Sequence, residues 1–325
     1  MTAAVLCLRP RADFERASAL PPEALDVTYR APGDADVPAL MKGARALVIP
    51  AVGPPLSSAL FERTALTLIQ VTGAGLDRLD RPTLQRLGIP VANVPGGSNR
   101  AVAEYAVTVA STLLRRFAWA DAEIRRGNYG AFRARMIADN LGGLDGLLVG
   151  VVGLGTIGLA VSEAFRHMGC RICFYDPAPN SAGARALGAE SMSLDELLTV
   201  SDVVTLHLPL LTETRNLIGD REMALMKPGA ILIQASRGGI VDELALAAHL
   251  RAGHLGGAAI DVYSSEPPGA DHPLVTLDGE AARRVLFTPH IAGVTRQSAA
   301  FLCRSAWRNV ERVLIDGEAP LNRAY

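Results

Sequence analysis

Residues 147–158 read Leu-Leu-Val-Gly-Val-Val-Gly-Leu-Gly-Thr-Ile-Gly, and this stretch decides how the rest of the chain is read. Its first six residues are mostly apolar and partly β-branched, the composition of a strand buried on both faces. The run breaks at Gly153, and apolar residues at 159, 161, 164 and 165 then recur at helical spacing. Gly153, Gly155 and Gly158 therefore spell G-x-G-x-x-G at the point where strand becomes helix. Gly153 permits the tight turn, Gly155 lets a pyrophosphate approach the backbone, and Gly158 lets helix and strand pack closely. Leu154, Thr156 and Ile157 complete the turn, whose free N–H groups and helix dipole favour an anion.

G-x-G-x-x-G alone recurs by chance, so its flanks carry the weight. A second strand over 171–175 ends in Asp176, roughly 20 residues beyond the last glycine, where a carboxylate meets the ribose hydroxyls of a dinucleotide. No basic residue stands among Pro177, Ala178, Pro179 and Asn180 to neutralise a 2′-phosphate. The pattern predicts an NAD site.

The 325 residues suffice for two domains with full cores. A formal net charge of −1 excludes a strong field for nucleic acid or an anionic membrane. No apolar run approaches the ~18 residues of a membrane helix, and residues 1–13 lack a signal-peptide layout. A soluble, cytoplasmic protein is expected. Cys7, Cys170, Cys173 and Cys303 do not make a disulfide framework. Cys170 and Cys173 form a C-x-x-C with no second pair, inside a strand that turns them to opposite faces, so they read as core and no metal site is expected.

Strands over 3–8, 25–30, 46–52, 66–71 and 91–94 alternate with helices over 11–19, 36–42, 56–62 and 82–87. Repeated βα units predict a parallel sheet covered on both faces, a small flavodoxin-like domain. After the turn Pro95-Gly96-Gly97, one long helix is expected over 99–126, capped by Ser98 or Asn99, as a crossover and candidate subunit contact. Residues 128–146 read as a loop. Beyond Asp176 come a helix over 193–200 opened by the capping box Ser193 to Glu196, and strands over 203–208, 230–235, 258–262 and 285–288. A helix over 242–252 and a last one over 296–315 complete the chain, the last returning to the first domain. The predicted class is α/β with two doubly wound parallel sheets. A Rossmann-type cofactor domain (99–292) is inserted in a flavodoxin-like substrate domain (1–98 plus 293–325).

Arg237, Glu266 and His290 each follow the end of a different strand in the second half of the cofactor domain. Ligands of open parallel sheets bind outside those carboxyl ends. Singly they have plain explanations: a solvated turn arginine, a loop carboxylate before proline, a helix-entry histidine. Together, behind a dinucleotide fingerprint, they match one chemistry. Hydride transfer at a 2-oxo acid needs a bidentate cation for the carboxylate, a proton donor active near neutrality, and a carboxylate that orients that donor.

Further stretches resemble the D-isomer-specific 2-hydroxyacid dehydrogenase family, glyoxylate and hydroxypyruvate reductases among them. They are residues 153–158, His207-Leu-Pro209, Lys227-Pro-Gly-Ala230, Ser236-Arg-Gly-Gly-Ile-Val-Asp-Glu243, Asp261-Val-Tyr-Ser-Ser-Glu-Pro267 and Thr288-Pro-His-Ile-Ala-Gly293. Gly73-Ala-Gly-Leu-Asp77 and Val102-Ala-Glu104 add to them. The resemblance implies that Arg237 binds substrate, that His290 is the acid/base, and that Glu266 is its partner. It places Val52, Gly73, Ala74 and Gly75, with Arg237 and His290, on the substrate at the domain cleft. Around NAD it places the 153–158 turn and Asp176 together with His207, Pro209, Thr214, Ala235, Arg237, Asp261, His290 and Gly293. It also implies a homodimer joined through cofactor domains.

Gln234 and Arg78 stand where many relatives have asparagine, and neither belongs to the proposed chemistry. Glu266 argues against the formate dehydrogenase branch, and Ala74 against a phosphite dehydrogenase. Relatives that act on phosphorylated acids often carry an arginine in the stretches matching Val71-Thr72-Gly73 and Ile49-Pro50-Ala51-Val52-Gly53, which here hold no cation; the resemblance thus implies a small, unphosphorylated 2-oxo acid, unless the Arg78 side chain turns into the cleft. A phosphoglycerate dehydrogenase-like enzyme and an NAD(H)-sensing, corepressor-like interaction protein are the alternatives.

Overall fold

Short runs rich in valine, isoleucine and leucine bury both faces only when helices cover each side of a parallel sheet. In a computed structural model describing residues 3–179 and 181–325, such runs build two sheets, every pairing of named strands within them parallel. Asn180, the last of the turn residues read above, lies outside the described residues. The chain divides into one unit of Met1–Ser98 with Val294–Tyr325 and a second of Asn99–Gly293.

The first unit holds β1 (Ala3–Cys7), α1 (Arg11–Arg16), β2 (Leu25–Tyr29), α2 (Val37–Gly43), β3 (Ala46–Ile49), β4 (Leu68–Val71), α3 (Arg81–Leu87) and β5 (Val91–Ala92). Its sheet order, β2-β1-β3-β4-β5, is the flavodoxin-like one. Every residue of β3 and β4 is buried. As the sequence suggests, Pro82 sits in the first turn of α3, and Gly88 ends that helix with a φ of 66°.

The second unit opens with α4 (Asn99–Leu114), α5 (Phe117–Arg125) and α6 (Tyr129–Ala138). Then follow β6 (Leu148–Val152), α7 (Thr156–His167), β7 (Arg171–Tyr175), α8 (Ser181–Leu187), β8 (Glu190–Ser191), α9 (Leu194–Val200) and β9 (Val203–Leu206). It closes with α10 (Asp220–Leu225), β10 (Ile231–Gln234), α11 (Glu243–Arg251), β11 (Gly257–Ile260), α12 (Gly279–Ala282) and β12 (Val285–Phe287). The order β12-β11-β10-β9-β6-β7-β8 reverses direction at β6, the Rossmann switch point. A final helix, α13 (Arg296–Leu314), buries Cys303, Trp307 and Val310 in the first unit, with the Trp307 ring 4.9 Å from Phe14.

Three expectations are corrected. The long helix over 99–126 is two helices, because Arg116 takes a left-handed φ of 53°. That conformation is unfavourable for a residue with a Cβ. It is offset by the Arg116 guanidinium lying 5.4 Å from the Trp119 ring centre and pairing with Asp139. The loop over 128–146 contains α6, anchored by Phe132 against Trp119 at 5.3 Å. A single buried aromatic leaves no repeating apolar stripe for a sequence reading to find. The helix over 56–62 is only a 3-10 turn, Ser58–Phe61, pinned by buried Phe61.

Gly150, in the middle of β6, has no space for a side chain: a Cβ would lie 2.3 Å from Ser201 Oγ and 2.5 Å from Leu197 Cδ2. Gly150→Ala is expected to destabilise the second unit by about 1–3 kcal/mol through overpacking. A lowered urea midpoint for that unit's unfolding checks this.

Candidate active site

The turn after β6 is shaped by contacts that a side chain would break. Gly153 has a φ of 95°, and a Cβ there would meet the His207 carbonyl at 2.5 Å, so β6 and β9 end against each other. A Cβ on Gly158 would lie 2.0 Å from the Gly153 carbonyl. A Cβ on Gly155, by contrast, would meet nothing within 4 Å. Open space therefore stands above the start of α7, where the first N–H groups have no partner within the helix. Asp176, at the end of β7, reaches back to this turn. Its carboxylate accepts the Leu154 N–H at 2.7 Å and the Ala178 N–H at 2.7 Å. Each oxygen keeps a further lone pair for a ribose hydroxyl.

His207 follows β9 at the same crevice. One ring nitrogen, Nε2, shares a hydrogen bond of 2.8 Å with Thr205 Oγ1, while Nδ1 is shut off from solvent without a partner. Burial pushes its pKa down to about 3, so the ring is neutral at physiological pH. An open cradle over Gly155, a carboxylate after the strand on one side of it and an orphaned ring nitrogen after the strand on the other fit a dinucleotide. Thr214 closes the neighbouring turn by donating to the Pro209 carbonyl at 2.7 Å and accepting the Leu211 N–H at 2.7 Å.

Arg237, Glu266 and His290 follow β10, β11 and β12. Glu266 Oε2 lies 2.9 Å from His290 Nδ1, and its Oε1 accepts the Tyr263 N–H at 3.1 Å. A carboxylate only accepts, so the proton of this contact is on Nδ1 and Nε2 is left as the working nitrogen. The Arg237 turn packs directly on the Glu266 loop: a Cβ on Gly238 would sit 1.8 Å from the Tyr263 carbonyl. That close approach needs glycine.

His290 itself has a φ of 56°, a left-handed conformation that costs about 1–3 kcal/mol in a residue with a side chain. Asp261 holds it there. This residue is 1% exposed, and its carboxylate accepts the Ile291 and Ala292 N–H groups, both at 2.8 Å, and the Thr288 hydroxyl at 2.6 Å. The His290 N–H donates to the Asp261 carbonyl at 2.9 Å. Because Thr288 gives its proton to Asp261, the Tyr105 hydroxyl 2.8 Å away is the donor to Thr288. Burial pushes the Tyr105 pKa up to about 12, which keeps that proton in place.

The resemblance implies a place for Asp261 beside the cofactor; in the fold its carboxylate also holds the turn that bears His290. Sequence reading missed Tyr105 and Thr288, whose partners are 183 residues apart in the chain. It also set Gln234 aside, yet Gln234 Nε2 donates to the Arg237 carbonyl at 2.8 Å, and its Oε1 accepts the Ser236 hydroxyl at 2.7 Å. A buried amide at a strand end was the available signal.

Ala235 lies at the end of β10, and Gly293 is the last residue of the second unit. Val52, Gly73, Ala74 and Gly75 belong to the first unit, at the carboxyl ends of β3 and β4. Val52 is exposed and lies beyond the strand expected to include it. Gly73 packs so closely that a Cβ would meet Ala51 Cβ at 2.7 Å. Arg78 is only 3% exposed; it donates to the carbonyls of Pro54 at 2.9 Å and Pro50 at 3.1 Å, holding the loop that contains Val52.

Residues 107–292 match the NAD binding domain of the D-isomer specific 2-hydroxyacid dehydrogenases. A glyoxylate reductase of Aeropyrum pernix is 35% identical over 265 residues, 81% of this chain and 77% of its own length. A D-3-phosphoglycerate dehydrogenase of Archaeoglobus fulgidus is 37% identical over 233 residues, 72% of this chain. The match spans 42% of that relative, less than half its length. Among solved structures, the TT0316 protein of Thermus thermophilus has a TM-score of 0.83 at 30% identity, covering 99% of this chain and 100% of that one.

His207 offers a direct check on this geometry. Its ring should titrate near pH 3 by NMR, against an ordinary value of 6.5. Between those values the unfolded chain binds a proton that the fold refuses, so His207 withdraws stability as pH falls from 6.5 towards 3. A His207 ring that titrates near 6.5 would contradict its burial.

Proposed function

The chain belongs to the D-isomer specific 2-hydroxyacid dehydrogenase family of NAD-dependent oxidoreductases, and we propose that it reduces a small, unphosphorylated 2-oxo acid to the D-2-hydroxy acid. Glyoxylate, hydroxypyruvate and short-chain 2-oxo acids are the substrates in view. NAD, when bound, supplies the hydride chemistry. The single observation that carries the reading is the 2.9 Å contact between His290 Nδ1 and Glu266 Oε2. It orients the ring and leaves Nε2 to exchange a proton with the substrate oxygen. To Arg237 we assign the substrate carboxylate and polarisation of the carbonyl, and to the Ala74 and Gly75 amides a share of the carboxylate, with Val52 beside the far end.

Two cations near the strand ends of the first unit bear on the substrate. Arg78 binds the Pro50 and Pro54 carbonyls, and Arg9 binds Asp13 and Thr72 at 2.9 Å each. Both are engaged within the protein, which supports an unphosphorylated substrate over the phosphoglycerate dehydrogenase-like alternative. Turnover separates catalysis from a purely NAD(H)-sensing role: a sensor would bind NADH yet show negligible oxidation of it with a panel of 2-oxo acids. Exposed Phe117, Ile124, Tyr129 and Ile137 on α5 and α6 support a homodimer joined through the second unit. Four free, buried cysteines support a cytoplasmic location, and no helix of the described residues is long and apolar enough to cross a membrane.

The deciding assay compares glyoxylate, hydroxypyruvate, 2-oxobutyrate and phosphohydroxypyruvate with NADH. One of the first three should give the highest kcat/KM; a lead for phosphohydroxypyruvate overturns the substrate reading. His290→Ala should cut turnover about 10²–10⁴-fold, with NADH binding largely kept. Glu266→Gln should lower turnover and alter the pH profile of reduction, because the carboxylate that orients the ring is gone. For cofactor choice, Asp176→Ala should narrow a preference for NADH over NADPH, and equal use of both by the parent would refute the role of Asp176.

A further inference from the structure

Glu266 sits on an exposed loop, residues 264–271, between buried Tyr263 and buried His272. A solvent-exposed loop of this length is poorly fixed by its own contacts, yet the Glu266 carboxylate has to be held beside His290. Both ends of the loop meet one side chain. Glu243, the first residue of α11, accepts the Ser264 N–H at Oε1 (2.8 Å), and its Oε2 lies 3.1 Å from His272 Nε2. The side chains of Glu243 and His272 are 13% and 7% exposed, so the pair is largely shielded from water. His272 Nδ1 accepts the Leu274 N–H at 3.3 Å, which leaves the ring proton on Nε2; that nitrogen faces Glu243 at ion-pair distance, outside hydrogen-bond geometry. Tyr263 ties the same stretch to the neighbouring strand end. Its ring meets His272 edge-on at 5.8 Å, its N–H donates to Glu266, and its hydroxyl donates to the Thr288 carbonyl at 3.0 Å.

We propose that Glu243, with His272, is the positioning residue of the acid/base pair: one buried carboxylate closes the loop at both ends and so fixes Glu266 against His290. The inference rests on the acid/base reading given above. Glutamine in place of Glu243 offers one acceptor and one donor where the carboxylate offers two acceptors. It can keep the Ser264 N–H, but it loses the negative charge that faces the His272 ring. The ionisable groups facing this stretch are Glu243 from α11, Tyr263, Glu266, Asp271 and His272 from the loop and its ends, Asp261 from the end of β11, Arg237 from the turn packed on the loop, and His290 beyond β12.

The test is the pH profile of NADH-dependent reduction, with the best substrate of the panel, for the parent, Glu266→Gln, Glu243→Gln, His272→Ala and His272→Gln. Glu243→Gln and His272→Ala should each lower kcat about 3- to 30-fold, as expected for a misplaced catalytic group. Both should move the alkaline limb in the same direction as Glu266→Gln, with KM and NADH affinity within about twofold of the parent. His272→Gln, whose amide can turn an N–H towards Glu243 and accept from Leu274, should restore most of the loss. If Glu266→Gln moves the limb while Glu243→Gln and His272→Ala leave it in place, Glu243 is merely structural and the inference is overturned. If Glu266→Gln itself moves nothing, the acid/base reading fails and the inference falls with it. Should Glu243→Gln not fold, the two His272 variants decide the matter alone.

Discussion

The buried carboxylate of Asp261 is the constraint on which the candidate active site depends. A charge taken out of water is tolerated only when its lone pairs are filled. Here they are filled by the Ile291 and Ala292 N–H groups and the Thr288 hydroxyl, all from the segment following β12. Satisfying Asp261 and holding His290 in its left-handed conformation are therefore one event. The strain in that backbone is small beside the cost of leaving the carboxylate unpaired.

Close backbone approach is the second constraint. Three glycines act where a single methyl group would collide with a carbonyl: Gly153 against His207, Gly158 against Gly153, and Gly238 against Tyr263. The first two bring the ends of β6 and β9 and the start of α7 together beside the open space over Gly155. The third brings the Arg237 turn onto the Glu266 loop. A parallel sheet delivers these residues to one edge, since every strand ends on the same side. The glycines then set how near they come.

Several features were legible in the sequence because they are local. The strand–turn–helix around Gly153, the capping box at Ser193 and the stop at Gly88 each follow from a few adjacent residues. Arg237, Glu266 and His290 were legible through their places after buried apolar runs. What escaped reading involves side-chain contacts that periodicity does not report, some of them with partners distant along the chain. Arg116 breaks the long helix because Trp119 and Asp139 receive its side chain, and α6 forms around one aromatic contact rather than a stripe. Gln234 looked like a neutral replacement, yet its amide shapes the turn that presents Arg237.

By itself, then, the sequence determined the two parallel α/β sheets, the dinucleotide turn and the residue types at the strand ends. These depend on periodicity, on glycine's freedom and on the direction of the strands. Tertiary structure alone decided that Glu266 Oε2 meets His290 Nδ1 at 2.9 Å, that Asp261 is occupied by the turn bearing His290, and that Arg78 is buried against two carbonyls. Such contacts join segments brought together only when the sheet closes its core. A hydrogen bond lost over a few tenths of an ångström cannot be read from spacing along a chain.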